Sequence, residues 1–186
     1  MVHQTTRDLH TWGDIVYDVR YPNSTWRPGM PVVSQLPFGN FILTYEFYGA
    51  EEADFAVYYR ISNSPLTFDE KPGQVLRATD GTVPVGSPYN VWTPEGGPLG
   101  TIIVSDGESS EVFLNHNLGA PGSWVKVETP AGASYTRSLM VMPDTSRVMI
   151  VAGGVLGGEH NSVLATTIDV TPVGPELAKR KIRGSR

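Results

Sequence analysis

A turn that recurs at a fixed interval is the feature that most constrains this chain. Its aromatic residues are Trp12, Phe68 and Trp124, and each interval between them is 56 residues. The first two copies, residues 6–12 and 62–68, begin with a hydroxyl residue and place a small polar residue two positions later. The third copy is looser, because extra residues precede Trp124. Polar side chains can hold such a turn through backbone N–H groups, while the aromatic ring packs under a neighbouring strand.

Short alternating segments joined by Gly, Pro, Asn and Asp fill the intervals between these turns. The 20 Gly and 15 Pro favour many turns, and no convincing amphipathic helix precedes the C-terminal segment. The predicted strands form three sets: residues 30–35, 41–46, 55–61 and 74–78; residues 89–93, 100–105, 111–115 and 125–128; and residues 138–142, 147–152 and 163–169. We therefore predict an all-β fold, and the repeat favours a β-propeller.

The third set stops one strand short, whereas residues 14–19 follow the first turn as an outermost blade strand would. These segments make three four-stranded blades in circularly permuted order. Propellers need about four to eight blades to close, and an open fan would leave exposed sheet edges. We predict a half-propeller over residues 1–174, closed to six blades by a two-fold homodimer in which strand 14–19 completes the partner's last blade. Residues 175–186 are predicted to be a basic, flexible tail.

Composition and charge limit the expected partners. The 186 residues suffice for one ordinary domain with a sizeable core. A net charge of −5 gives no reason to expect nucleic acid, and no apolar run is long enough to span a bilayer. The first eight residues lack the apolar core of a signal peptide, so the chain's own signals predict no export. Because the chain has no Cys and its four His residues are scattered, we expect neither a metal nor a cofactor.

Four stretches resemble a known family: residues 27–33 (RPGMPVV), 39–46 (GNFILTYE), 58–62 (YYRIS) and 86–94 (GSPYNVWTP). They resemble the C-terminal half of fungal sialidase-like six-bladed propellers, in particular the exo-acting α-L-arabinanases of glycoside hydrolase family 93. The resemblance implies release of short arabinose oligomers from arabinan with retention, by two carboxylates. Family members are about twice as long as this chain and are usually secreted. One of their catalytic carboxylates lies in the blades that have no counterpart here.

Three residues are candidates for catalysis. Glu46 ends a predicted strand between Tyr45 and Phe47, where desolvation by aromatic rings suits a general acid; the alternative is a carboxylate bound to turn amides. Asp106 ends the equivalent strand of the next blade and either supplies a second carboxylate or caps the following turn. Retaining hydrolysis needs two carboxylates about 5 Å apart. Tyr135 resembles a tyrosine of the family's site that could bind a catalytic carboxylate, or it is a buried tyrosine with a satisfied hydroxyl.

Six residues are predicted to bind substrate: Trp26, Arg27, Tyr89, Asn90, Trp92 and Arg137. The two arginines precede inner strands and could bind sugar hydroxyls or an anion, or else form ion pairs between blades. Strand alternation puts Asn90 on the face opposite to its neighbours. The aromatic residues could stack on sugar rings or contribute to packing between the blades.

These patterns leave three functions open. The first is a carbohydrate-active propeller that resembles retaining exo-arabinanases acting on α-L-arabinan, with one catalytic carboxylate in this chain. The second is a non-hydrolytic protein that uses the same cleft, either as a binding module or as an enzyme of secondary metabolism. The third is an inactive half-propeller fragment. The first two predict a small-molecule or oligosaccharide ligand.

Overall fold

The computed structural model of the chain describes residues 1–23, 25–49, 52–70, 72–143, 146–155 and 163–170. These residues form an all-β fold with one 3-10 turn at Pro37–Gly39, which confirms the predicted fold class. The strands are β1 (Val2–His3), β2 (Val16–Tyr17), β3 (Arg27–Gln35), β4 (Phe41–Tyr48), β5 (Ala56–Ser62), β6 (Gln74–Val75), β7 (Tyr89–Thr93), β8 (Thr101–Ser105), β9 (Glu111–Asn115), β10 (Trp124–Glu128), β11 (Ser134–Val141), β12 (Arg147–Val155) and β13 (Val163–Asp169).

Three antiparallel meanders follow one another along the chain. Blade I has the strand order β3-β4-β5-β6, blade II the order β7-β8-β9-β10, and blade III the order β11-β12-β13. These sheets are the three predicted sets of strands. A bulge between Gly29 and Val32 shifts the pairing of β3 with β4 and leaves Gly29 opposite Glu46. The first strands of the blades lie side by side, because β7 contacts both β3 and β11.

Apolar layers join the blades to one another. Successive residues of a strand point to opposite faces, so Ile102 and Val104 of β8 pack towards blade I while Ile103 packs towards blade III. Each fully buried aliphatic side chain of this kind contributes about 1.5–3 kcal/mol. The first layer also contains Phe113 and Trp124. Sheets that are buried on both faces in this way hold their inner strands, and the loops above them, in fixed positions.

The repeated turn is held as its sequence predicts. In the first copy the Asp8 carboxylate accepts bonds from the N–H groups of His10 and Thr11, at 2.9 and 2.7 Å. In the second, the Ser62 hydroxyl donates to the carbonyl of Thr67 at 2.7 Å. In the third, the Asn115 amide oxygen accepts bonds from the N–H groups of residues 117 and 119. Polar side chains within the first three residues of each copy therefore organise the turn.

The aromatic anchors differ in burial. Phe68 and Trp124 are 3% and 1% exposed, as predicted, whereas Trp12 is 55% exposed. The prediction for Trp12 was wrong. Trp124 of blade II packs into the layer that blade II shares with blade I. Trp12 belongs to the turn between β1 and β2, and these strands form a two-stranded sheet of their own. The described residues place no blade over its ring.

The segment predicted at residues 14–19 is shorter than expected and has a partner within the chain. Its strand, β2, pairs with β1, which the sequence analysis did not predict. Thirteen strands rather than twelve are therefore present among the described residues. The outer strand β13 has β12 as its neighbour in blade III.

Neither a membrane-spanning helix nor the predicted tail lies among the described residues. No helix among the described residues is long and apolar enough to cross a membrane. The predicted tail, residues 175–186, and the end of the predicted domain at residues 171–174 lie outside the described residues.

Candidate functional site

A cleft of about 370 Å³ surrounds Glu46, where blades I and II meet. Its lining comprises Arg27, Met30, Glu46, Phe55, Gly86, Ser87, Gly107 and Glu108. Strand β3 contributes Arg27 and Met30, strand β4 contributes Glu46, and loops contribute the other residues. The structure therefore brings one predicted catalytic residue and one predicted binding residue, Glu46 and Arg27, into the same cleft.

Glu46 is half-buried near the end of β4 and has a defined orientation. The backbone N–H of Ser87 donates a 2.7 Å hydrogen bond to Glu46 Oε2. Gly29 lies opposite in the ladder, and a Cβ at that position would be 3.4 Å from Glu46 Oε1. A glycine there leaves room for the carboxylate. One oxygen is fixed by an amide, as the alternative interpretation of Glu46 expected, and the same carboxylate lines the cleft.

Several residues that line this cleft have uncommon backbone conformations. Four of the lining residues have positive φ angles: Met30 at 50°, Phe55 at 65°, Gly86 at 76° and Ser87 at 28°. For residues other than glycine this region of φ is unfavourable, and it persists only where surrounding contacts enforce it. Such strain often marks functional sites. The sequence contains no signal for three of these four positions, because only Gly86 is a residue type that adopts positive φ readily.

Arg27 begins β3 with its side chain exposed in the cleft. Its guanidinium carbon lies 5.5 Å from the centroid of the Tyr48 ring, within the range of a cation–π contact. The charged end can therefore face a ligand while the ring supports it. The binding role of Arg27 stays a prediction.

Asp106 is buried and engaged in bonds outside the cleft surface. Its Oδ1 accepts hydrogen bonds from the N–H and the hydroxyl of Ser109, at 3.1 and 2.8 Å, and its Oδ2 accepts one from the N–H of Val85 at 3.3 Å. Burial raises the pKa of the Asp106 carboxyl, although these hydrogen bonds and the nearby Arg137 oppose the shift. This geometry is that of a turn cap, the alternative to a catalytic role.

Arg137 is also buried. Its guanidinium donates to the carbonyls of Gly132 and Glu111, at 2.6 and 2.8 Å, and lies 3.9 Å from Asp106. Desolvation lowers the pKa of Arg137, while Asp106 and Glu111 act in the opposite direction. Because Arg137 belongs to blade III and its anionic partner follows β8 of blade II, the pair joins two blades, which was the alternative to sugar binding.

The predicted residues of β7 point in two directions. Asn90 is buried, and its Nδ2 donates to the carbonyl of Val32 at 2.9 Å and to the hydroxyl of Thr44 at 2.7 Å. Trp92 packs against the layer between blades I and II, and Tyr89 packs against the layer between blades II and III. The predicted alternation is confirmed. Tyr89 also lines a second groove of about 400 Å³ that adjoins the cleft at Met30 and Ser87.

Trp26 lies in an aromatic cluster instead of standing free in a loop. Its ring is 5.6 Å from that of Tyr21 and 5.9 Å from that of Phe47, both edge to face. Phe47 is the residue that follows Glu46 in β4. The contacts agree with the packing interpretation of Trp26, and they support the strand end that carries the cleft carboxylate.

Tyr135 and Glu108 are the remaining residues that bear on the cleft. Tyr135 lies in β11, but its side chain is outside the part of the chain that the structure describes. Glu108 is exposed and lines the cleft together with Glu46. Glu108 lies in the bend that follows Asp106, where no sequence motif distinguishes it. Among the described residues, no group of three or more His, Asp or Glu residues is placed to hold a metal ion.

Comparisons with known proteins identify close structural relatives. The chain superposes on an α-L-arabinofuranosidase from Fusarium graminearum in complex with an iminosugar inhibitor, with a TM-score of 0.85, 43% identity, and coverage of 91% of this chain and 50% of that one. The same values hold for the Fusarium graminearum family 93 enzyme in complex with arabinobiose. The Penicillium chrysogenum α-L-arabinanase in complex with arabinobiose matches with a TM-score of 0.83 and 44% identity, over 91% of this chain and 49% of that one.

No protein-family model matches the chain, and no curated protein gives a significant match. The chain spans about half the length of the solved structures that it matches. Because these are arabinan-degrading propellers, the resemblance inferred from residues 27–33, 39–46, 58–62 and 86–94 is confirmed. Over nine-tenths of its length, this chain is thus similar in sequence and in fold to one half of a propeller of glycoside hydrolase family 93.

Proposed function

We propose that this chain forms half of an arabinan-binding propeller in which Glu46 is a catalytic carboxylate. The observation that carries this proposal is the position of Glu46 in a cleft, with one oxygen held by Ser87 and the exposed guanidinium of Arg27 in the same lining. The similar proteins that were solved with arabinobiose support a furanose oligosaccharide as the ligand.

The chemistry would be a two-step displacement. One carboxylic acid protonates the departing glycosidic oxygen while a carboxylate attacks the anomeric carbon, and water then cleaves the glycosyl-enzyme bond. Glu46 supplies one of the two groups. Asp106 is an unsuitable partner, because its oxygens already accept bonds from Ser109 and Val85. The second carboxylate then comes from the half of the propeller that this chain does not span, or from Glu108 in the same cleft.

Closure of the propeller is part of the same proposal. Apolar side chains are exposed at both ends of the fan: Val2, Ile15 and Tyr17 near the N-terminal sheet, and Val163 and Leu164 on β13. Exposed edges and apolar surfaces of this kind favour association. We propose that a second copy of the chain covers them in a two-fold dimer. Because β1 and β2 are paired, the N-terminal sheet would dock as a unit rather than as the single strand that the sequence suggested.

A non-hydrolytic binding protein is the second candidate. It is favoured by the burial of Asp106, since the one carboxylate that matches Glu46 by strand position is committed to a turn. A protein of this kind would hold an oligosaccharide with Arg27 and the aromatic lining and would leave its glycosidic bonds intact. An enzyme of secondary metabolism would use the same surfaces. An inactive half-propeller would neither bind nor cleave an oligosaccharide.

The variant Glu46→Gln separates these functions. If Glu46 is catalytic, release of reducing sugar from linear arabinan falls by at least about a hundredfold, while arabinobiose binding measured by calorimetry persists. Glu128→Gln is the matched control, because Glu128 is exposed on the outer strand β10. Hydrolysis that is unchanged in Glu46→Gln would contradict the catalytic role. Arabinobiose binding without hydrolysis by the wild-type chain would favour the binding protein.

The solution mass tests closure independently of activity. Light scattering on a sizing column should give twice the chain mass, and the charged double variant Ile15→Lys/Val163→Lys should give the mass of one chain. A wild-type monomer would contradict the dimer.

A further inference from the structure

We propose that Asp106 is a positioning residue for Glu46. It would act through residues 85–87, which it anchors from behind and which present the Ser87 N–H to the cleft. The inference rests on the proposed role of Glu46, but its geometry is independent of the reaction. Asp106 itself touches neither the cleft carboxylate nor, by this proposal, the substrate.

A short segment, residues 85–87, connects the two carboxylates. Asp106 Oδ2 accepts a hydrogen bond from the N–H of Val85, and two residues further on the N–H of Ser87 donates to Glu46 Oε2 at 2.7 Å. The N–H of Gly107, next to Asp106, lies 3.2 Å from the carbonyl of Val85 and 3.0 Å from that of Gly86. The loop that contains Asp106 therefore binds this short segment at several points, and the segment binds Glu46.

The segment of residues 85–87 needs external support. Gly86 and Ser87 have successive positive φ angles of 76° and 28°. Two bonds to blade I hold its other side: the N–H of Gly86 donates to the carbonyl of Phe55, and the N–H of Val57 donates to that of Pro84, both at 2.9 Å. A strained conformation persists when its surroundings impose it from both sides, and Asp106 provides the support from blade II.

Asp106 is itself immobilised. Its side chain is 4% exposed, Ser109 binds its Oδ1 through two groups, and the guanidinium of Arg137 faces it at 3.9 Å. In an asparagine at position 106 the amide oxygen would keep the two bonds from Ser109, and the NH₂ group would face the N–H of Val85. The carboxylate can therefore satisfy both donors, whereas the amide cannot.

Amide hydrogen exchange in Asp106→Asn tests the proposal directly. Protection at the amides of Val85 and Ser87 should fall by about tenfold relative to the core amide of Ile103, because a buried donor has lost its acceptor. Asp8→Asn is the matched control, since Asp8 also caps a turn with two N–H bonds but lies in the N-terminal sheet. Unchanged protection at Ser87 in a folded Asp106→Asn protein would overturn the proposal.

A second measurement decides the matter if Asp106→Asn does not fold. In Glu46→Gln/Glu108→Gln the cleft has lost both of its carboxylates, and Arg27 remains the charged group of its lining. The chemical shift of the Val85 amide then reports the titration of Asp106, whose carboxyl faces Arg137. The chemical shift of the Ser87 amide should still change at the same pH. A Ser87 shift that stays flat through the Val85 transition would overturn the proposal. Neither measurement requires hydrolysis. Both expected results would therefore still be obtained if the proposed function failed.

Discussion

The guanidinium of Arg137 lies 3.9 Å from the carboxylate of Asp106, and both side chains are buried where blades II and III meet. Two residues that the sequence offered as site residues thus hold the fold together, and they do so directly behind the cleft. Removing one charge of a buried pair leaves the other without compensation, which costs more than the pair itself contributes.

We therefore expect Asp106→Ala to lower the free energy of unfolding by about 3–5 kcal/mol. The double variant Asp106→Leu/Arg137→Met should recover part of this loss, because no unpaired charge then remains buried. Urea denaturation followed by tryptophan fluorescence measures both. A double variant less stable than Asp106→Ala would show that the carbonyl contacts of Arg137 outweigh the charge pair.

Asn90 is expected to act in stability rather than in binding. In Asn90→Ala the carbonyl of Val32 and the hydroxyl of Thr44 lose their donor inside the protein, which should cost about 2 kcal/mol or more. Asn63→Ala, at an exposed position, should stay within about 0.5 kcal/mol of the wild type. Equal denaturation midpoints for the two variants would contradict this assignment.

The aromatic anchors of the repeated turn should differ in their contribution to stability. Trp124→Ala empties a buried site between blades I and II and should cost about 3–5 kcal/mol. Trp12→Ala should cost far less in a monomer, because that ring is half-exposed. If the proposed dimer covers Trp12, the variant instead weakens association, and the sizing-column mass will depend on concentration.

The cleft glycine Gly86 should not tolerate a side chain. Its φ of 76° strains any other residue, so Gly86→Ala should cost about 1 kcal/mol or more and loosen the Ser87 N–H. Gly97→Ala is the matched control, because Gly97 has no positive φ and a Cβ there would meet open space. Thermal unfolding of both variants makes the comparison, and equal melting temperatures would argue against strain at Gly86.

Asp8 should titrate unusually low. Hydrogen bonds from the N–H groups of Thr11 and His10 lower its pKa from 3.8 to about 2. Because its folded pKa is depressed, the stabilisation by this cap is present above pH 3.8 and is lost as the pH falls through about 2. Asp8→Asn should therefore flatten the acid limb of the stability curve. Carboxyl NMR shifts give the pKa directly, and a value near 3.8 would contradict the capping geometry.

Features that depend on contacts close in sequence were predictable, and features that depend on distant contacts were not. The turn cap at Asp8 and the alternation of Asn90 with its neighbours were predictable, since each depends on contacts a few residues apart. The strand Val2–His3 was not, because two residues carry no period and the strand exists through its pairing with β2. Glu108 was missed for a similar reason, since it joins Glu46 across two blades.

The sequence by itself determined the all-β class, the three meanders and the resemblance to half of a family 93 propeller. Those properties follow from local turn chemistry, strand periodicity and contiguous motifs. Only the tertiary structure decided that Glu46 and Arg27 line a cleft while Asp106 and Arg137 are buried as a pair. Glu46 lies near the end of β4, and Asp106 follows β8, the equivalent strand of blade II. Blade III covers Asp106 with Arg137, whereas Glu46 lines the cleft. Which of the two is buried depends on contacts that are distant in sequence.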